Sequence, residues 1–136
     1  MFELLEHTAD IGFRARARTL AELFETAAMA LESIAVETEA IEPRQEYRLE
    51  ATGEDHESLL VNWLSEVLYW MDGEQLAFHH FRVTEITPAG VSGRGMGERR
   101  DPARHRAKLI VKAVTYHQLR VAETPEGWVA EVYLDI

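Results

Sequence analysis

The sequence predicts an α+β fold in which two helices pack on one face of a mostly antiparallel sheet. Three observations lead there. Alternating apolar residues mark strands near both ends. Two windows repeat their apolar residues at three- and four-residue steps. The elements run strands, helix, strand, helix, then strands again, an order that favours an antiparallel sheet over a parallel one. The 136 residues are read as one domain, 1–136, large enough to bury a core without covalent staples.

Phe2, Leu4 and Glu6 alternate with Glu3, Leu5 and His7 and are read as a short strand. Ile11, Phe13, Ala15 and Ala17 then alternate with Arg14, Arg16 and Arg18, a strand with one buried face, and Thr8-Ala9-Asp10 is read as the turn or bulge between the two. Thr19-Leu20-Ala21-Glu22 has the form of a capping box. Behind it Leu20, Leu23, Phe24, Ala27, Leu31 and Ile34 make one helical stripe that should end near Val36, before Pro43.

Tyr47, Leu49 and Ala51 alternate with polar residues up to the Gly53-Glu54 turn. Asp55 is a natural N-cap for a second helix carrying Leu60, Trp63, Leu64, Val67, Leu68 and Met71, stopped at Asp72-Gly73. In the strand from Leu76 to Ile86 the apolar phase slips between Phe78 and Phe81, which predicts a bulge at His79-His80. Gly93, Gly95 and Gly97 weaken the case for a strand over Val91–Glu98, and Asp101–Arg106 is expected to be an exposed loop. Leu109 to Val121 alternates with apolar content on both faces and is read as the longest, central strand. Thr124-Pro125-Glu126-Gly127 turns the chain back into a last strand ending at Asp135. That pairing brings Asp135 towards Lys108–Lys112.

Composition excludes several classes. There is no cysteine, so zinc–thiolate sites, disulfides and a cysteine nucleophile are out. The net charge of -10 argues against nucleic-acid binding by bulk attraction. No basic start precedes an apolar run, and no run approaches the ~20 residues of a membrane span; a soluble cytoplasmic protein is expected. Half of the 14 basic residues nevertheless fall between Arg94 and Lys112, which suits docking to a partner of opposite charge.

The chemistry-bearing residues gather at the two ends. Asp10 sits between two apolar runs, and Asp135 precedes Ile136; if Ile136 is the native terminus, its α-carboxylate adds a third anionic group. Crowded carboxylates repel unless a cation joins them or one takes a proton, and oxygen donors of this kind suit a divalent cation, Ca or Mg/Mn. The plainer readings are an Asp capping a turn and a solvated terminal acid. His7 is a ligand or base, or a residue that fixes its turn by a hydrogen bond. Arg104 and His105, in the basic segment, are candidate contacts for a partner or nucleotide, against the reading of a solvated loop. Lys112 interrupts an apolar strand and should pair with Asp10 or Asp135. His79, His80, His105 and His117 lack zinc-motif spacing. Gly93-Arg94-Gly95-Met96-Gly97 is only superficially a phosphate loop, since no Lys-Ser/Thr follows it, and Trp63, Trp70 and Trp128 are read as packing residues.

Four separated stretches in order, His7-Thr8-Ala9-Asp10-Ile11-Gly12, Leu59-Leu60-Val61-Asn62-Trp63-Leu64, Val111-Lys112-Ala113-Val114-Thr115-Tyr116-His117 and Asp135-Ile136, resemble the archease family, and the resemblance covers Glu3 to Ile136. It implies an archease-like sandwich and a protein that is not itself an enzyme. Instead it activates an RtcB-type RNA ligase of tRNA splicing and RNA repair by promoting guanylylation and multiple turnover, and meets tRNA and GTP only through that ligase. The family's metal ligands match Asp10, Asp135 and Ile136, and Lys112 is counted with them as functional. Asn62 and Ser65 stand where the family often has Asp and Asn, which bears on partner affinity. The alternative is a chaperone-like protein-binding modulator of RNA-processing enzymes. A metal-dependent hydrolase would need a base that the sequence does not offer.

Overall fold

The computed structural model describes residues 1–6 and 10–136, with the backbone alone described at Glu6. The expected turn at Thr8-Ala9 and the side chain of His7 lie outside the described residues. The strands β1 (Phe2–Glu6) and β2 (Asp10–Ala17) are followed by helix α1 (Leu20–Ala35), β3 (Gln45–Thr52), helix α2 (His56–Asp72), β4 (Leu76–Thr87) and β5 (Gly90–Arg99). The chain ends with β6 (Ala113–Val114), β7 (Arg120–Thr124) and β8 (Gly127–Asp135). The α+β reading holds, with every described strand pair antiparallel. The strands fall into two sheets. One runs β1-β2-β8, with β6 and β7 sharing the far edge of β8; the other runs β3-β5-β4. Helix α1 packs against strands of both sheets, and α2 packs chiefly on β3. No described helix is long and apolar enough to cross a membrane.

Both helices start as their sequences dictate. The Thr19 hydroxyl accepts from the Glu22 amide at 3.1 Å, and Asp55 exchanges bonds with Ser58 in a full capping box. Phe13, Ala15, Val132 and Leu134 meet Leu23, Phe24, Leu31, Trp63 and Leu64 in one core. The buried Trp63 indole reaches across the helices to the Phe24 carbonyl at 3.1 Å, so its one polar atom is satisfied. The register of β4 on β5 shifts between Phe78 and His80, where the apolar phase slips.

Two expectations are corrected. The glycine-rich stretch is a complete strand, β5, and it is the centre of its sheet. The side on which Gly93, Gly95 and Gly97 lie is packed so closely that a methyl group there would collide: at Gly93 with the Arg82 carbonyl at 2.5 Å, at Gly95 with the Phe78 ring, at Gly97 with the Ala77 carbonyl. Glycine in this strand therefore serves close backbone approach.

The single long strand over Leu109–Val121 is not formed. Lys108 is tied to the end of α1 by its amide to the Ala35 carbonyl, 2.9 Å. Leu109 and Ile110 are exposed, only Ala113-Val114 pair with β8, and Gln118 turns the chain with a φ of 50° before β7 resumes. The five residues 115–119 stand opposite two, Val132 and Tyr133. Alternation in the sequence could not reveal that half of the apolar positions face solvent.

Candidate functional site

Strand β2 places Ile11, Phe13 and Ala15 in the core, so by the two-residue period Asp10, Gly12 and Arg14 lie on the opposite face. Strand β8 does the same, with Leu134, Val132 and Ala130 on the core face and Asp135, Tyr133 and Glu131 on the other, where Tyr133 is itself covered. The register then stacks three cross-strand pairs on that outer face: Asp10 with Asp135, Gly12 with Tyr133, Arg14 with Glu131. The third pair is a salt bridge of 3.0 Å, extended by Arg14 to Glu3 at 2.6 Å. The second is an aromatic side chain lying over a glycine: a methyl group on Gly12 would fall 2.6 Å from the Tyr133 ring. The first sets two acids directly opposite each other, where like charges are destabilising.

Residues 125 positions apart in the chain thus become immediate neighbours. Asp10 is partly buried, and its Oδ1 is shielded from solvent with no hydrogen-bond partner among the described residues. Asp135 is exposed, and its carbonyl accepts the Lys112 amide at 2.7 Å. Ile136 follows, 37% exposed. A buried carboxylate oxygen without a donor beside a second carboxylate fits a hard cation, which takes oxygen ligands and would satisfy both. The described residues alone supply no cluster of three His, Asp or Glu side chains around a common point, so such a cation would draw on main-chain or terminal oxygens or on a partner.

Lys112 is corrected. Its side chain is exposed, and among the described residues it forms no ion pair with Asp10 or Asp135; the main chain makes the link to Asp135 instead. Lys112 lines a cleft of about 360 Å³ against α2, with Ser65, Tyr69, Asp72 and Ala113. Asn62, on the exposed side of the same helix, donates to the Thr52 carbonyl at 2.6 Å and so closes the end of β3.

Arg104 and His105, the candidate contacts in the basic segment, are both bonded within the protein. His105 is fully buried. Its Nδ1 accepts the Asp101 amide at 2.8 Å, which leaves Nε2 as the donor to Glu98 at 2.9 Å. Arg104 donates to Glu98 at 2.8 Å and to the Ala40 carbonyl at 3.0 Å. These bonds, first that from Arg104, hold the Glu98 carboxyl down at about 2 against the desolvation that opposes them. The loop is a clasp between the end of β5 and residues 40–44. Elsewhere in the basic segment Arg94 pairs with Glu46 at 3.1 Å.

The structure adds residues that sequence reasoning passed over. Thr115 binds the Tyr133 carbonyl through both its amide, at 3.1 Å, and its hydroxyl, at 3.0 Å. The His117 ring stands edge-on to Tyr133 with centroids 6.1 Å apart. The 115–117 loop thereby backs the tyrosine that covers Gly12, one pair from the acids. The glycine inside a clean alternating strand was the available signal. Around the same end lie exposed apolar side chains: Ile110 at 79%, Tyr116 at 60% and Tyr69 at 57%.

Comparison with known proteins matches residues 2–136 to the Archease protein family. The protein archease of Pyrococcus furiosus is 42% identical over 139 residues, covering 99% of this chain and 98% of that protein. That of Methanosarcina mazei is 40% identical, covering 99% and 95%. The solution structure of Methanobacterium thermoautotrophicum protein 1598 aligns with a TM-score of 0.81 at 34% identity, over 99% of this chain and 98% of that one. The crystal structure of an archease, described as a possible chaperone, from Thermotoga maritima shares the fold with a TM-score of 0.58 at 21% identity, covering 97% and 94%.

Proposed function

The chain belongs to the archease family, and from that premise we propose that it is a non-catalytic activator of an RtcB-type RNA ligase, acting through the acidic end of the β2–β8 pair. The observation that supports this reading best is the direct apposition of Asp10 and Asp135, with the Asp10 Oδ1 buried and without a hydrogen-bond partner among the described residues. Asp10 and Asp135, with Ile136 beside them, would hold a divalent cation, Ca or Mg/Mn. Bound there, such an ion supplies neutralisation of phosphate charge during nucleotidyl transfer on the ligase.

The chain's own residues have three tasks. Gly12 and Tyr133 lock the two strands in register next to the acids, so the carboxylates need no rearrangement to share a ligand. Lys112, bonded through its main chain to Asp135, offers a solvated ammonium at the mouth of the neighbouring cleft, where a phosphate or an acidic side chain of the ligase would meet it. The exposed Ile110, Tyr116 and Tyr69 surround these polar groups with apolar area of the kind protein interfaces bury. RNA and GTP are engaged by the ligase, consistent with the net charge of -10.

The test is to combine the protein with its cognate ligase and GTP and follow guanylylation and turnover. Stimulation that disappears in Asp10→Ala and Asp135→Ala, with folding intact, is expected. Unchanged guanylylation on addition of the protein ends the proposal, and full stimulation by either variant removes the acids from it. The exposed apolar side chains also favour a second reading, a chaperone-like modulator. It predicts suppressed aggregation of unrelated clients without any metal.

A further inference from the structure

Two adjacent residues on a regular strand face opposite sides of the sheet. His79 and His80 do not. The register of β4 on β5 jumps from Phe78 opposite Gly97 to His80 opposite Met96, so His79 is the extra residue of a bulge, which re-aims the side chains around it. Phe78 and Phe81 stay buried on either side, and both histidines are exposed. β4 is an edge strand of its sheet, so the bulge stands at a margin of the molecule's second sheet, away from the β2–β8 pair.

The bulge fixes the relation between two ring nitrogens. Nδ1 of His79 and Nδ1 of His80 are 2.8 Å apart, with ring planes at 83° and centroids 5.0 Å apart. At that separation a single proton lies between two nitrogens, one ring donating and the other accepting. Two imidazolium rings would set N–H against N–H, so at least one ring is neutral. Desolvation, then the neighbouring His79 and Arg82, lower the pKa of His80 against a smaller opposing pull from Glu25. A neutral imidazole is the form that ligates metals. His80 also borders a hollow of about 480 Å³ with Glu25, Met29 and Phe81, which leaves room for water around an ion held at the nitrogens.

We propose that the His79–His80 pair chelates a divalent transition-metal ion of tetragonal geometry, Cu²⁺ or Ni²⁺, through its two Nδ1 atoms. With a nitrogen–metal length of ~2.0 Å, adjacent corners of a square lie ~2.8 Å apart and tetrahedral donors ~3.3 Å apart. The spacing on β4 matches the square. Binding displaces the shared proton, which passes through water to Nε2 of the ring that had donated it. Both rings stay neutral, and both Nδ1 lone pairs swing from the line between the nitrogens towards the ion, a rotation open to exposed rings. Glu25, from α1, accepts the Val83 amide at 2.7 Å and so ties the strand beside the bulge to the helix. Among the described residues no third His, Asp or Glu joins the pair, so water fills the remaining corners. The site shares no residue with Asp10, Asp135 or Ile136, and its nitrogen donors suit a different class of ion from the oxygens there.

Cu²⁺, and in separate runs Ni²⁺ and Zn²⁺, is titrated into the purified protein at a pH where imidazole is neutral and followed by calorimetry, with electron paramagnetic resonance of the Cu²⁺ form. Saturable Cu²⁺ binding with a tetragonal spectrum coupled to two nitrogens is expected, and Zn²⁺ should bind about tenfold or more weakly. His79→Gln and His80→Gln, both at exposed positions, should each weaken Cu²⁺ binding by about tenfold or more, since a lost ligand costs at least what a lost outer-shell partner does. His56→Gln and a saturating excess of Ca²⁺ should leave it unchanged. Coupling to one nitrogen, or affinity within about threefold of the wild type in either His79→Gln or His80→Gln, would reduce the pair to ordinary surface histidines and overturn the proposal. So would displacement by Ca²⁺ or loss of binding in His56→Gln, which place the ion elsewhere. Zn²⁺ binding as tight as Cu²⁺ overturns the square geometry.

Discussion

Stability should fall as pH rises through neutrality, because of one side chain. Glu32 lies in the core-facing part of α1, fully buried, and neither carboxyl oxygen has a hydrogen-bond partner of ordinary geometry among the described residues. Burial pushes its pKa up from 4.5 to about 8, against weaker opposing pulls from the Phe78 amide and the Arg100 charge. The folded protein therefore binds a proton that the unfolded chain has released, from about pH 4.5 to about pH 8. In that window each pH unit removes up to about 1.4 kcal/mol from the unfolding free energy, so this one group contributes a loss of about 3–4 kcal/mol between pH 5 and pH 8. Glu32→Gln keeps the shape and stays neutral. Urea unfolding of both proteins at pH 5 and pH 8 should show the variant close to the wild type at pH 5 and more stable than it at pH 8. Parallel pH dependences, agreeing within about 0.5 kcal/mol, would refute the buried, protonated assignment.

Three further outcomes follow from the packing and the acids. Gly95→Ala drives a methyl group into the Phe78 ring and should cost about 1–3 kcal/mol in chemical denaturation, whereas alanine at the open Gly90 should cost less. Glu98, held at about 2 first by Arg104, contributes stability above its unfolded value near 4.5 that is lost as pH falls towards 2. Circular dichroism of Glu98→Gln should show a less stable protein at neutral pH with a flatter acid limb. Calcium or manganese at a hundredfold excess over Kd should stabilise the protein by about 2.7 kcal/mol, a rise in Tm of roughly 5–10 °C. Asp135→Asn should abolish that rise, and an equal rise in the variant would place the ion elsewhere.

Local patterns were legible wherever one face of an element meets the core. The stripe from Leu23 to Ile34, the Asp55 cap and the slip at Phe78–His80 each have a period or a partner within a few residues. The meeting of the two chain ends was expected only through the family resemblance, because the Thr124–Gly127 turn sets β7 on β8 and leaves the pairing of β2 with β8 open. What escaped the sequence depends on distant surroundings. The three glycines of β5 looked like strand breakers because nothing local reveals that Phe78 and two carbonyls approach them. Lys112 and its neighbours looked like core strand because the exposed apolar residues Leu109, Ile110 and Tyr116 alternate much as buried ones do. His105 offered an exposed loop's sequence, yet a carboxylate 7 residues away drew it inside.

The placement of Asp10 opposite Asp135 is a consequence of the core more than of the acids. Ile11 faces Leu134, and Phe13 faces Val132, and a slip of β2 by one residue would turn Ile11 and Phe13 from the core to the other face. The apolar pairs therefore hold the carboxylates together against a repulsion of about 1–4 kcal/mol for charges ~4 Å apart near a surface. Gly12 and Tyr133 tighten the same register, since the ring occupies the space a side chain at residue 12 would need. A site assembled in this way is ready before any ligand arrives. Under the proposed function, affinity for a cation would then be limited by how many donors the chain supplies, and a partner that contributes the missing oxygens would complete the shell and dock in one step.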